Sequence, residues 1–161
     1  MKTLKDKINE NKEDIKHYVD GILIAPDNEI LILQRANYLK NFRGQWGFVG
    51  GSVDKKDNTN KDAIIREIKE ETGIELNNNE IKNMASLEVH QHLGGPNDDI
   101  IVSDTEYWIV LLDKKYDIKI SREHQRYKWV NDETFKEKQG KYMSDVYHYI
   151  EKYYNKLNER R

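Results

Sequence analysis

Residues 59–74 constrain what this chain can fold into more than any other stretch. On a helix of about 100° per residue, Ile64, Ile65, Ile68 and Thr72 fall within one arc of roughly 100°, and Glu67, Glu70 and Glu71 occupy a separate arc of similar width. One face is suited to burial and the other carries three carboxylates. Thr59 is a good N-cap, and Asp62 three residues on makes a variant of the capping box. Gly73 suits the left-handed residue that ends a helix, with Ile74 supplying the apolar contact beyond it. Both ends of this helix are therefore written in the sequence.

The charges on this helix work against it. Glu67 and Glu71 form an i,i+4 like-charge pair that costs roughly a few tenths of a kcal/mol. Glu70 and Glu71 also sit near the C-terminus, where the helix dipole disfavours anions. A divalent cation reverses both effects, because hard ions such as Mg²⁺ take carboxylate oxygens and keep open positions for substrate phosphates. Taken alone, the pattern equally describes a solvated acidic face with Arg66 paired to Glu70. The preceding residues shift the balance. Gly50-Gly51 follows an apolar strand directly, and a glycine pair lets the backbone approach a ligand closely. A strand, a glycine pair, a polar loop and an acidic helix outline a metal–phosphate site.

Elsewhere the pattern alternates irregularly between strand and helix. Leu4, Ile8 and Ile15 suggest a weakly amphipathic helix in an N-terminal extension over residues 1–16. Residues 17–25 and 30–35 read as a hairpin around Pro26-Asp27-Asn28-Glu29, and residues 37–45 as a loop. Residues 46–49 read as one short strand, and Asn77-Asn78-Asn79 as a turn. Residues 84–93 and 100–112 read as strands joined by Gly94-Gly95-Pro96-Asn97-Asp98, and residues 127–130 as a further strand. Residues 143–161 read as a closing helix with Val146, Ile150 and Tyr153 or Tyr154 on one stripe. Hairpins rather than βαβ units predict a mixed sheet with helices on both faces, not a doubly wound parallel sheet. At 161 residues the chain is the size of one domain, 1–161.

Composition excludes several classes. The chain has no cysteine, which rules out disulfides, thiolate zinc sites and a cysteine nucleophile. Its net charge of −2 gives no footprint for duplex nucleic acid or an acidic membrane. Charged residues make up 35% of it, yet ten Tyr, three Trp and three Phe argue against disorder. Neither a signal-peptide core nor a membrane-length apolar run is visible, so the expected setting is the cytoplasm.

The segment Arg66-Glu67-Ile68-Lys69-Glu70-Glu71-Thr72-Gly73-Ile74 resembles the signature of the Nudix hydrolase (MutT-like) family, matching the second half of that signature at every defined position. The lead-in Gly44-Gln45-Trp46-Gly47-Phe48-Val49-Gly50-Gly51 is similar too, with Val49 where proline is common, and so is the strand Leu31-Ile32-Leu33-Gln34-Arg35. The likeness runs from about Tyr18 to Phe135. The first glutamate of the signature is missing: counted forward from Gly51 its place falls on Asp57, and counted back from Arg66 on Asn58, so the loop is one residue longer.

The resemblance implies an α/β/α sandwich around a mixed sheet. It implies that Glu67, Glu70 and Glu71 bind Mg²⁺ or Mn²⁺, helped by the carbonyl of Gly51, with Arg66 orienting a glutamate. It also implies a general base on the acidic helix or in a loop before a late strand, where Glu123 is the first candidate and His124, which ordinarily titrates near neutrality, the second. An exposed polar loop is the competing reading of both. Arg35 is set either to reach a substrate phosphate or to pair with the acidic helix. Trp46 and Phe48 are set either to stack on a base or to pack in the core. His90 and His92 alternate on one strand and make a weak zinc pair, so a polar sheet face or pocket lining is preferred.

The expected activity is metal-dependent hydrolysis of a nucleoside diphosphate linked to another group. A nucleoside triphosphate, ordinary or damaged, leads; a sugar nucleotide or ADP-ribose is the alternative, and RNA 5′-end or dinucleoside-polyphosphate cleavage comes third. From a different class, a nucleotide-sensing module that does not cleave is the competitor, disfavoured because all three helix carboxylates are kept. The implied partners are a small nucleotide and, as in many relatives, a second copy of the chain.

Overall fold

The computed structural model describes residues 15–93, 102–131 and 148–153, together with residues 1, 3, 6, 133, 134 and 146. Most of the expected N-terminal helix and the whole turn at residues 94–98 lie outside these. Strand β1 (Lys16–Ile24) and strand β2 (Ile30–Arg35) form the expected hairpin. At its turn Asn28 takes φ 67°, a left-handed conformation that asparagine tolerates. Strands β3 (Trp46–Gly47) and β4 (Val49–Ser52) follow, then helix α1 (Asn60–Thr72) and the short helix α2 (Asn78–Lys82). Strands β5 (Ala85–Leu93), β6 (Val102–Leu111) and β7 (His124–Val130) complete the sheet.

The strands form one mixed sheet in the order β3-β2-β1-β6-β5, with β4 also on β1 and β7 also on β2. Among the described residues β1 and β6 run parallel and every other pair is antiparallel. The sheet is covered on both faces, which is why β1 and β2 are apolar at successive positions. Ile22, Ile24, Ile30 and Ile32 pack with Val146, Tyr149 and Ile150 of the closing helix. Their neighbours Val19, Leu23, Leu31 and Leu33 pack on the opposite face with Ile64 and Ile68 of α1. This is the α/β/α arrangement that the sequence implies. In the closing helix Val146 and Ile150 are fully buried and Tyr153 packs beside them, as the stripe predicts. No helix among the described residues is long and apolar enough to cross a membrane.

Three elements differ from expectation. Residues 46–49 are not one strand: Trp46 and Gly47 pair with β2, whereas Val49 begins a strand on β1. The chain changes partner at Phe48, which is buried in the core, and Gly50 and Gly51 lie within β4 rather than after it. The Asn77 turn is the N-cap of α2, whose five residues are too few to show a period. It is encoded by the reciprocal bonds of Asn77 and Glu80, a full capping box. Strand β7 starts at His124, three residues early, because the pairing with β2 continues past a bulge to Arg35.

Candidate active site

Helix α1 has both of its predicted ends. The Thr59 hydroxyl accepts from the Asp62 N–H at 3.1 Å, and Gly73 closes the helix at φ 74° with its N–H on Lys69 O at 2.9 Å. The carboxylates are less solvated than a separate polar face would be. Glu70 is exposed, but Glu67 and Glu71 are only 9% and 5% accessible. Strand β4 covers them. The Gly50 N–H donates to Glu71 Oε2 at 3.0 Å. A side chain at Gly51 would strike the Glu67 carboxylate, whose Cδ lies 2.5 Å from an ideal Cβ there. One at Gly50 would strike Asp20 and the Val19 carbonyl. Gly51 therefore lets β4 lie directly on the acidic helix, and Gly50 lets it lie close against β1.

This packing sets the electrostatics. Burial pushes the Glu71 carboxyl up to about 9; the Gly50 bond opposes the rise, and the charges of Glu67, Asp20 and Glu123 add to it. Burial also raises Glu67, against the pull of Arg66 and with the push of Glu70 and Glu123. Glu123 is exposed, yet it lies close enough to act on both buried carboxylates, so the late loop and α1 face one centre. Asp20 joins them from β1. Its one sequence signal is a charge between the apolar Val19 and the apolar run Ile22-Leu23-Ile24.

Arg66 ties this end of the molecule together. Its Nε and Nη2 grip both oxygens of Asp57 at 3.0 and 2.9 Å, and Nη2 also reaches the Ser52 carbonyl at 3.0 Å. Its Nη1 donates to Glu67 at 2.9 Å and to Glu70 at 3.1 Å. The Arg66 bonds hold the Asp57 carboxyl below its usual range. Of the two residues at the altered position, Asp57 is the one held by Arg66.

The other candidates divide. Arg35 donates from Nε to the Asn41 carbonyl at 3.1 Å and makes no ion pair with the acidic helix among the described residues. Trp46 and Phe48 are not displayed for stacking on a base. Both are buried in the core beneath the closing helix, and Lys128 Nζ covers the Trp46 ring at 4.0 Å from its centroid. His124 is not an exposed loop residue either. It is buried at the start of β7, and burial, with Arg35 beside it, pulls its pKa down to about 4 instead of leaving it near neutrality. Of the histidine pair, His90 meets Glu88 and His148 on the face away from α1.

The donors on α1 are carboxylate oxygens alone; of the two that are buried, Glu67 pairs with Arg66 and Glu71 has no ion pair among the described residues, and that chemistry suits a hard divalent ion. The NUDIX domain family model matches residues 16–150. The chain belongs to the Nudix family. A curated relative, the ADP-ribose pyrophosphatase of Methanocaldococcus jannaschii, is 42% identical over 39% of this chain, a match that spans 40% of that relative's length. Among solved structures, the NUDIX domain of Shewanella oneidensis NrtR complexed with ADP ribose superposes with a TM-score of 0.70 at 19% identity, over 98% of this chain and 99% of that one. The MutT protein of Methanosarcina mazei gives a TM-score of 0.64 at 22% identity, over 89% of this chain and 95% of that one. At these identities the two structures share the Nudix fold with this chain.

Proposed function

We propose that this Nudix protein is a divalent-metal-dependent hydrolase that cleaves the pyrophosphate link of a nucleoside diphosphate joined to a sugar, with ADP-ribose as the substrate class. The observation that carries the reading is the convergence of Glu67, Glu71 and Glu123 around the Gly50-Gly51 strand, with Glu70 at its rim. Glu67, Glu70 and Glu71 would hold Mg²⁺ or Mn²⁺, with the Gly51 carbonyl beside them. When bound, the ion polarises phosphoryl oxygens and makes a water nucleophilic at neutral pH. Arg66 keeps Glu67 and Glu70 oriented and does not itself meet substrate. Glu123, open to solvent, is the candidate to take the proton of the attacking water. His124 is a poor choice for that task, because it is buried at the start of β7 whereas Glu123 is open to solvent.

The sequence alone favoured a nucleoside triphosphate. The likeness to an ADP-ribose pyrophosphatase and to a domain that carries ADP ribose supports the sugar-linked class instead. The second of these also supports a rival reading, in which the chain binds ADP-ribose without cleaving it. One panel separates them. The protein is incubated with Mg²⁺ or Mn²⁺ and ADP-ribose, sugar nucleotides, triphosphates or dinucleoside polyphosphates, and product release is measured. Cleavage of ADP-ribose to AMP and ribose phosphate is expected to be the fastest. Tight binding of ADP-ribose with turnover of nothing would establish the sensor reading.

A further inference from the structure

A second gathering of metal-binding atoms lies away from α1. Among the described residues, the group whose donor atoms converge is Glu88, His90 and His148, all within 4.8 Å of one another. It lies across the sheet from α1. Glu88 and His90 stand on β5, and His148 comes from the closing helix. The ring of His90 is fixed by edge-on contacts with Tyr107, His148 and Tyr149 at 6.0, 6.1 and 5.9 Å between centroids. His90 Nε2 lies 3.2 Å from Glu88 Oε1, and Lys152 Nζ lies 3.3 Å from the same oxygen.

Two imidazoles and one carboxylate form a donor set unlike the all-oxygen centre on α1. Imidazole suits Zn²⁺ and its neighbours, whereas carboxylate alone suits Mg²⁺ and Mn²⁺. Zinc bonds of about 2.0–2.2 Å bring tetrahedral donors to roughly 3.4 Å apart. The present spacing therefore needs a modest closing, which His148 would supply from the exposed side of its helix. The half-exposed Lys152 ammonium now supplies the positive charge and can swing out to solvent on its long stem.

We propose that Glu88, His90 and His148 form a second cation site, selective for Zn²⁺ or a similar borderline divalent ion, that fastens the closing helix to β5. Strand β5 pairs with β6 alone among the described residues, so it is an edge of the sheet. An ion bridging it to the helix that covers the sheet ties two elements that are far apart in sequence.

The test uses the full chain, stripped of metal and then held in excess Mg²⁺ so that the oxygen site is filled. Zn²⁺ is titrated by calorimetry, and Co²⁺ serves as a spectroscopic substitute. A single additional Zn²⁺ per chain and a raised thermal midpoint are expected. With Co²⁺, the stronger visible absorption of a four-coordinate nitrogen-containing site should develop, in contrast to that of a six-coordinate oxygen site. His148→Ala, at an exposed position, should weaken Zn²⁺ by at least about tenfold and remove the Co²⁺ band. Lys152→Met should tighten Zn²⁺ by removing the competing ammonium, an effect that damaged folding would not produce. No Zn²⁺ uptake in the presence of Mg²⁺, or uptake that His148→Ala leaves unchanged, would overturn the assignment.

Discussion

Glu71 and Glu80 are both buried glutamates, 5% and 0% accessible, and the protein treats them in opposite ways. Glu80 is fully supplied with donors. Its Oε1 accepts from the Asn77 N–H at 3.0 Å and the Tyr116 hydroxyl at 2.7 Å, and its Oε2 from the Asp113 N–H at 3.0 Å. Those bonds join α2, the end of β6 and the following loop. Burial and the neighbouring carboxylate drive Tyr116 up to about 12, so its hydroxyl remains a donor. Glu71 has a donor in Gly50 and faces three other carboxylates: Glu67, Asp20 and Glu123. A buried charge is tolerated when its hydrogen bonds are complete and is costly when they are not. Glu80 is a structural tie. Glu71 is an incomplete arrangement that a cation would complete.

The comparison can be broken at either residue. The largest effect is expected from Glu71→Gln, which should lower turnover by about a hundredfold or more. In metal-free buffer the same change should stabilise the protein. Because the native pKa of Glu71 is raised to about 9, its favourable contribution is complete below the ordinary carboxylate value and is lost as pH rises toward 9. Urea denaturation across that range should show wild type weakening with pH and the glutamine variant weakening less; equal slopes would mean that Glu71 is as well satisfied as Glu80. Glu80→Ala should do the reverse, costing about 3 kcal/mol of stability by leaving three donors unpaired while kcat per folded molecule stays unchanged.

Smaller effects sharpen the picture. Asp57→Ala frees one side of the Arg66 clamp and should reduce kcat by about tenfold, whereas Asn58→Ala should have little effect; equal losses would remove Asp57 from its positioning role. His124 gives the smallest change near neutral pH. Its native pKa of about 4 means that its contribution is complete above about 6.5 and is lost as the pH falls toward 4. His124→Asn should flatten acid destabilisation over that interval by up to about 1.4 kcal/mol per pH unit, measured by denaturant titration.

The sequence made α1 legible to the residue, because an N-cap, an amphipathic stripe and a C-cap glycine are local signals that tertiary contacts left in force. The glycine pair reads from sequence as an approach to a ligand, and the structure adds that Gly50 donates to Glu71 and Gly51 lies against Glu67. The sequence did not reveal that Glu67 and Glu71 are covered, because burial there comes from β4, a strand whose partner is set by a change of register at Phe48 and not by any local pattern. For the same reason Trp46 and Phe48 stood open between stacking and core: an aromatic residue on a two-residue strand carries no record of which face is roofed. His124 was misjudged because β7 continues three residues further than its apolar run. The convergence of His90 with His148 joins residues 58 positions apart, and no spacing rule reaches that far.

The double grip of Arg66 has one more consequence. The guanidinium holds Ser52 at one end of the loop and Asp57 near the other, while the Val53 N–H bonds to the His17 carbonyl and fixes the exit from β4. Counted forward from Gly51, the stretch to Asp57 keeps the length of the signature, so the extra residue falls between Asp57 and Arg66, beyond these anchors, and moves neither glycine. The stretch between β4 and α1 is therefore a place where descendants of this protein can drift in length while the chemistry on either side stays in register.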